Sequence, residues 1–304
     1  MFEQLFDSAL VESVVRALIP ILLAALGGMI CDRAGVFQIS LEGMMLVGAF
    51  TAVAGSYLAT SATVGTVIAM AAGSAFSLVL AYGAVSRQGD PIVIGVAVNL
   101  LALGLTSFLL PQLFGVRGVF QDPRVDGLNR FPIPFLSDIP IVGPAIFRST
   151  IPGYLAMLAV PALWVFLFRT PIGLRLRGVG ERPVSAETLG VNPTQYKYAA
   201  VVASGMLCGL AGAQLTLGNV VQFSENMSSG RGWIAVVAVM LGRAHPAGVL
   251  GASALFGAAE GLGFRLQGNG LPVQITDALP YVATLVALAL ARKRFKRILE
   301  LTAA

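Results

Sequence analysis

The chain has 304 residues, of which 56% are apolar and only 12% charged, with a mean hydropathy of +0.82. So little charge excludes a soluble domain of this size, because a water-facing surface needs more polar cover; the surrounding solvent must be largely lipid. The net charge of +5 is confined to a few segments, which points to membrane topology and away from a nucleic-acid partner.

The chain opens with Glu3, Asp7 and Glu12 instead of a basic stretch, and no small-residue cleavage site follows, so a secretory signal is not expected. Glu12 and Arg16 are spaced i, i+4 in the favourable order, which fits the first turns of a helix entering the membrane. Glu42 heads the run Gly43–Ser86, 44 residues without Asp, Glu, Lys, Arg or His. At 1.5 Å per residue that is roughly 66 Å of helix, about two crossings of a 30 Å hydrocarbon core. A short inner turn, Arg87–Asp90, separates it from Pro91–Val116, and Ser149–Phe168 and Tyr198–Ser224 are each long enough for one more crossing. Backbone polar groups in lipid need partners within their own segment, so these runs are expected to be helices.

Half of the 20 Lys and Arg residues lie in Arg169–Lys197 and in the tail (Arg292, Lys293, Arg294, Lys296, Arg297). Both segments are expected on the cytoplasmic side. Gln112–Thr150 holds four Arg, three Asp and five Pro, and reads as an external loop. Gly232–Ala259 is interrupted by Arg243 and His245. Its first 11 uncharged residues make roughly 16 Å of helix, too short to cross. Two short, tilted or broken helices meeting at Gly242–Pro246 are expected there. The result is an all-α polytopic bundle of about nine spans (8–10), with the N-terminus external and the C-terminus cytoplasmic. A single long helix at 232–259 would give eight and reverse the N-terminus.

A repeat is also legible. Gln38-Ile39-Ser40-Leu41-Glu42-Gly43-Met44 and Gln222-Phe223-Ser224-Glu225-Asn226-Met227 each follow an apolar helix and precede another, about 184 residues apart. The preceding helices run in opposite directions, so the chain divides into two inverted repeats, about 10–111 and 198–291. The remaining parts are the external loop 112–150, the cytoplasmic loop 169–197 and the basic tail 292–304. Such repeats place a transport path at their interface, lined by interrupted helices.

The polar residues each have two readings. Glu42 either faces a cavity as a path or gating residue, or is a helix N-terminal acid favoured by the dipole, with Ser40 as cap. Glu225 has the same alternatives, with Arg231 near enough in sequence to pair with it. Asn99 either ties helices together or contacts a polar solute. The candidate path residues are therefore Gln38, Glu42, Asn99, Glu225 and Asn226. Cys31 and Cys208 read as small core residues, and the lone His245 is not a metal site. Gly205, Gly209 and Gly212 form small faces for close helix packing. Neither a catalytic triad nor a GxxxxGK[ST] loop occurs, so the chain has no P-loop with which to hydrolyse ATP. In the basic loop, Arg182–Leu189 reads as a short helix closed by Gly190; it is either a docking element or part of a solvated loop.

The stretch Arg175-Leu176-Arg177-Gly178-Val179-Gly180-Glu181-Arg182-Pro183-Val184-Ser185-Ala186-Glu187-Thr188-Leu189-Gly190-Val191 resembles the coupling region of permeases of the branched-chain amino-acid, ribose and nucleoside branch of bacterial ABC importers. Arg33-Ala34-Gly35-Val36, Glu42-Gly43-Met44-Met45, Tyr196-Lys197-Tyr198, Ser204–Ala213, Gly230-Arg231-Gly232-Trp233-Ile234-Ala235 and Pro280-Tyr281 extend the resemblance over most of the chain, and bring it nearest the nucleoside subgroup. Arg182 departs from a usual Asn, and Ser185 from a usual Ala. The resemblance implies a permease in the bacterial inner membrane, paired with a second related permease. Two cytosolic ABC ATPases would bind ATP and Mg, and a periplasmic or lipoprotein binding protein would deliver the solute. This chain itself would need no cofactor. The solute would be a nucleoside first, then a sugar or a branched-chain amino acid. Gly180, Glu181, Arg182, Pro183, Ala186, Glu187 and Gly190 would couple to the ATPase. An ion-gradient-driven transporter and a passive channel are the alternatives; a membrane enzyme lacks candidate catalytic residues.

Overall fold

Two turns on apolar helices show how the chain punctuates its spans. Asp90 accepts hydrogen bonds from the backbone N–H groups of Ile92 (2.7 Å) and Val93 (3.4 Å), with Pro91 in the first helical position. Gly115, at φ +69°, closes the far end of the same helix. That is the Asx cap, proline start and left-handed glycine stop that a helix needs where its own backbone partners run out. Asp90→Ala is expected to lower stability by about 1 kcal/mol. A thermal unfolding midpoint in detergent that does not move would contradict this.

The computed structural model describes residues 8–132 and 146–268, together with Ala278, Leu279, Val282 and Leu285. In chain order, α1 (Ser8–Arg33), α2 (Leu41–Ala59), α3 (Ala62–Ala81) and α4 (Pro91–Phe114) come first. Short strands β1 (Val119–Phe120), β2 (Arg130–Pro132) and β3 (Arg148–Thr150) follow. Then come α5 (Ile151–Arg169), α6 (Pro171–Glu181), α7 (Pro183–Thr188), α8 (Pro193–Ala213), β4 (Phe223–Ser224), α9 (Arg231–Leu241) and α10 (Pro246–Gly268). π-helical turns, Tyr82–Ser86 and Gln214–Gly218, extend α3 and α8. Among the described residues seven helices are long and apolar enough to cross a membrane: α1 to α5, α8 and α10. The basic tail, residues 133–145 of the expected external loop, Pro280-Tyr281 and the last expected span lie outside the described residues.

Burial separates centre from periphery. The spans of α1, α2 and α8 are 89%, 78% and 78% buried, whereas α4 and α5 are 22% and 28% buried. The outward faces of α4 and α5 carry Ile92, Val93, Leu100, Phe108 and Leu158, all exposed. An apolar rim around a buried, equally apolar centre is the pattern of a bundle whose solvent is lipid. Close approach in the centre depends on the small residues: a Cβ on Gly209 would run into the carbonyl oxygen of Ala69, one on Gly205 into that of Gly73, and one on Gly212 into that of Met45. The Gly205/Gly209/Gly212 face is thus the seam between α8 and the α2–α3 pair.

The two ends of the bundle differ. At one, Arg130 at the start of β2 donates to Glu12 of α1 (2.7 Å), and Glu12 also holds Arg16 (3.1 Å). There β2 pairs with β3, and β1 with β4. Phe50, Tyr57, Phe114, Phe120 and Phe223 form an aromatic cluster beneath. The segment read as a loop after α4 is therefore tied into the bundle by its strands. At the other, basic end the chain is more helical than the expected loop 169–197: α6 occupies Pro171–Glu181 and α8 already starts at Pro193. Two further expectations change. The break at Gly242–His245 is present, with Arg243 and Ala244 at φ +53° and +47°, but α10 beyond it has 23 residues and is of spanning length. Ser40 stands at the start of α2 without making a side-chain cap bond.

Candidate functional site

Two helices begin inside the bundle instead of at its ends. Leu41 at the start of α2 lies against Gly28, a turn and a half before the end of α1, and Gly232 at the start of α9 lies against the Glu42 backbone. Residues 34–40, most of them buried, fold back among the helices before α2 begins, and 219–230, of which Phe223 and Ser228 are buried, lead through β4 to α9. Non-helical backbone at this depth is tolerated where protein encloses it.

Glu42 joins the two starts. Its carboxylate accepts hydrogen bonds from the backbone N–H groups of Gly230 (2.8 Å) and Gly232 (2.6 Å), at the beginning of α9, while standing in the first turn of α2. One buried negative charge thus faces the positive ends of two helices. Gly232 is required here, since a Cβ would collide with the Glu42 backbone. Asn99 of α4 completes the junction: its Oδ1 accepts from Gly43 N–H (2.7 Å) and its Nδ2 donates to the Ile39 carbonyl (3.1 Å). Its amide is thereby engaged in holding the start of α2. Gln38 is buried beside it, with its Nε2 on the Met44 sulfur (3.1 Å).

Glu225 is placed differently, although the repeat pairs it with Glu42. It is exposed, and its Oε1 accepts from Gly118 N–H (3.0 Å). Asn226, also exposed, adopts φ +54°. Arg231 is not the partner of Glu225; its Nε donates to Glu260 of α10 (2.8 Å) and its Nη1 to the Met227 carbonyl (3.1 Å). Glu260 was missed in the sequence, although it is the one carboxylate between Glu225 and Asp277; a lone acid in an apolar helix is itself a signal. The Arg231–Glu260 pair walls a cavity of about 470 Å³ between α1, α10 and the segment 219–229. Among the predicted path residues, Glu42 and Asn99 come together at the junction with Gln38 near them. None of the five lines the cavity.

At the basic end, α7 is closed as its sequence foretells. Gly190 (φ +80°) donates to the Glu187 carbonyl (2.9 Å) and Val191 to that of Ala186 (3.0 Å), the two bonds of a Schellman stop. Ala186 is buried against the bundle, while Val184 and Leu189 are 73% and 83% exposed. Glu181, Arg182 and Glu187 are exposed as well. Gly180, near the end of α6, lies on the backbone of α1's exit: a Cβ there would run into the Arg33 carbonyl, and Gly35 N is 3.0 Å away. Arg33 in turn donates to the carbonyls of Ala244 (2.6 Å) and Arg243 (3.2 Å), in the break between α9 and α10. The Phe168 ring lies 4.7 Å from the Arg177 guanidinium and 5.3 Å from the His245 ring.

A family model described as the permease component of branched-chain amino acid transport systems matches residues 10–288. The chain belongs to this permease family. It is 38% identical to the guanosine ABC transporter permease protein NupQ of Bacillus subtilis, over 88% of this chain and 87% of that one. It is 36% identical to TsgC13 of Haloferax volcanii, provisionally named a glucose ABC transporter permease protein, over 94% and 92% of the two chains. It is 35% identical to the nucleoside ABC transporter permease protein NupC of Lactococcus lactis, over 89% and 88%. The permease is thus a multi-pass subunit of an ABC importer, a transport component and not an enzyme.

Proposed function

We propose that this permease conducts a nucleoside across the bacterial inner membrane, with its basic end in the cytoplasm and α7 docked on a cytosolic ATPase. The observation that carries the docking is the exposure of Val184 and Leu189 on a helix locked at its C-terminus. Large apolar side chains held rigidly at a water-facing end need a protein surface to cover them. The ATPase supplies the ATP and Mg chemistry. A second, related permease and an external binding protein complete the importer. The nucleoside reading is supported by the names of NupQ and NupC and by a cavity in which the buried cation, Arg231, is paired with Glu260.

Coupling would run through contacts already described. Movement of α7 carries α6; Gly180 bears on the backbone at Arg33 and Gly35; Arg33 holds the break before α10. The α9 helix between that break and the Glu42 junction then shifts relative to α2. Two interrupted helices meeting at one carboxylate form an element that such a motion can open and close. Rocking one repeat, about residues 10–111, against the other, about 198–291, would expose the path alternately.

The test is uptake of radiolabelled guanosine by the complete importer in a host lacking nucleoside uptake. Uptake should stop on ATP depletion and persist with an uncoupler; the reverse pattern favours an ion-gradient-driven transporter. Glu181→Arg, at the exposed end of α6, should reduce binding-protein-stimulated ATPase activity several-fold without changing the amount of permease in the membrane. Normal stimulation in that variant would remove this region from the ATPase interface.

A further inference from the structure

The cavity behind Arg231 and Glu260 has a chemistry of its own. It holds about 470 Å³, enough for a solute of two or three rings within the usual range of small-molecule sites. The buried cation on its wall is neutralised at short range, Arg231 by Glu260, while Arg16, 45% exposed, shares the Glu12 carboxylate with Arg130. The Arg231 guanidinium is further occupied by the Met227 and Ser228 carbonyls. A phosphate or carboxylate beside Arg231 would find no free cation there, and would lose its hydration without compensation.

Uncharged recognition groups are present instead. Gln222 lines the cavity half-buried, and among the described residues its amide makes no hydrogen bond, leaving a donor and an acceptor side by side. Gln38, its counterpart in the other repeat, is 3% exposed and lies outside the cavity. Phe264 stands one helical turn beyond Glu260 on α10, so the two share a face. Its ring is 48% exposed on the cavity wall. A free amide and an open aromatic face suit different parts of one molecule: adjacent hydroxyls, one donating and one accepting, and a flat apolar surface.

We infer that this cavity is a docking station for a neutral solute with a vicinal diol and a flat face, with Gln222 binding the diol and Phe264 stacking on the face. Ribonucleosides and hexoses share that chemistry. The inference rests on the reading of the chain as the conducting subunit, and it adds a recognition step inside the permease, downstream of the binding protein.

The test uses the complete importer in proteoliposomes, with KM measured for guanosine and for 2′,3′-dideoxyguanosine. Each KM is divided by that of the parent complex for the same solute, which cancels the binding protein's own preference. Gln222→Ala should raise KM for guanosine about tenfold and leave the dideoxy compound unchanged. Phe264→Ala should raise both. A Gln222→Ala complex that shifts both solutes equally, or neither, overturns the assignment while uptake itself leaves the nucleoside reading standing. Transport of glucose but of no nucleoside overturns that reading instead. The station is then decided by the same ratio for glucose and 2-deoxyglucose: a shift confined to glucose upholds it, and an equal shift or none removes it.

Discussion

Glu42→Ala is expected to abolish most uptake and to destabilise the permease, whereas Glu225→Ala should change either one little. Each of the two glutamates follows a Gln-x-Ser element, so a sequence-level account gives them one effect. Their surroundings separate them. Removing the Glu42 carboxylate leaves the N–H groups of Gly230 and Gly232 without their acceptor, in a buried junction between two helix starts. Two charge-assisted bonds of this kind contribute about 3 kcal/mol or more, and the orphaned amides add a desolvation penalty. Even half of that, placed on the equilibrium between states of the path, exceeds a tenfold change in their populations. Glu225 is exposed and accepts one bond from a loop amide, which water can replace. Glu42→Gln should fall between wild type and Ala: its oxygen can serve one amide, while its NH₂ group must face the other. Guanosine uptake and detergent unfolding midpoints of the three variants provide the measurement. Equal behaviour of Glu42→Ala and Glu225→Ala would sink the junction as the working element.

The contrast shows what the sequence makes legible here and what it leaves hidden. Span positions follow from a local property, the length of uncharged runs. The two helices expected within 41–86 are therefore found at 41–59 and 62–81, the next starts at Pro91 as expected, and the run 149–168 is found as a helix at 151–169. The break at Gly242–Pro246 was legible for the same reason: Arg243, His245 and Pro246 interrupt the run. Partners were not legible, because they lie far apart in the chain. Nothing near Glu42 indicates that its acceptor oxygens meet amides 188 and 190 residues away. Glu225, six residues from Arg231, is its nearest acid in sequence, yet Arg231 pairs with Glu260 on another helix. Sequence proximity is a poor guide wherever helices re-enter the bundle. The amphipathic α6 was hidden for a different reason. Its Arg175 and Arg177 marked the segment as a basic loop, although Leu176 and Val179 are buried on its inner face and give it a helical period.

The second large effect is expected at α6. Gly178→Ala and Gly180→Ala are the same chemical change two residues apart in one helix, and their outcomes should be opposite. Around Gly178 an added Cβ meets nothing within 4 Å. The substitution there removes only a helix-weakening glycine, and stability should rise by up to about 1 kcal/mol with transport unaffected. At Gly180 the same Cβ runs into the Arg33 carbonyl, with the backbone at Gly35 as the next contact. Neither neighbour is a side chain that can swing away, so α6 must move off the end of α1. Overpacking of this kind costs about 1–3 kcal/mol. The larger consequence is positional: a strained contact at Gly180 shifts Arg33, whose guanidinium holds the carbonyls of Arg243 and Ala244. ATP hydrolysis should then proceed without solute movement, at least about tenfold less guanosine per ATP than in the parent importer. Because α7 and its Schellman stop are untouched, the ATPase should still co-purify with the Gly180→Ala permease. Loss of that co-purification would instead make Gly180 part of the docking surface. A normal transport-to-hydrolysis ratio in Gly180→Ala would show that force does not pass through the contact between α6 and α1.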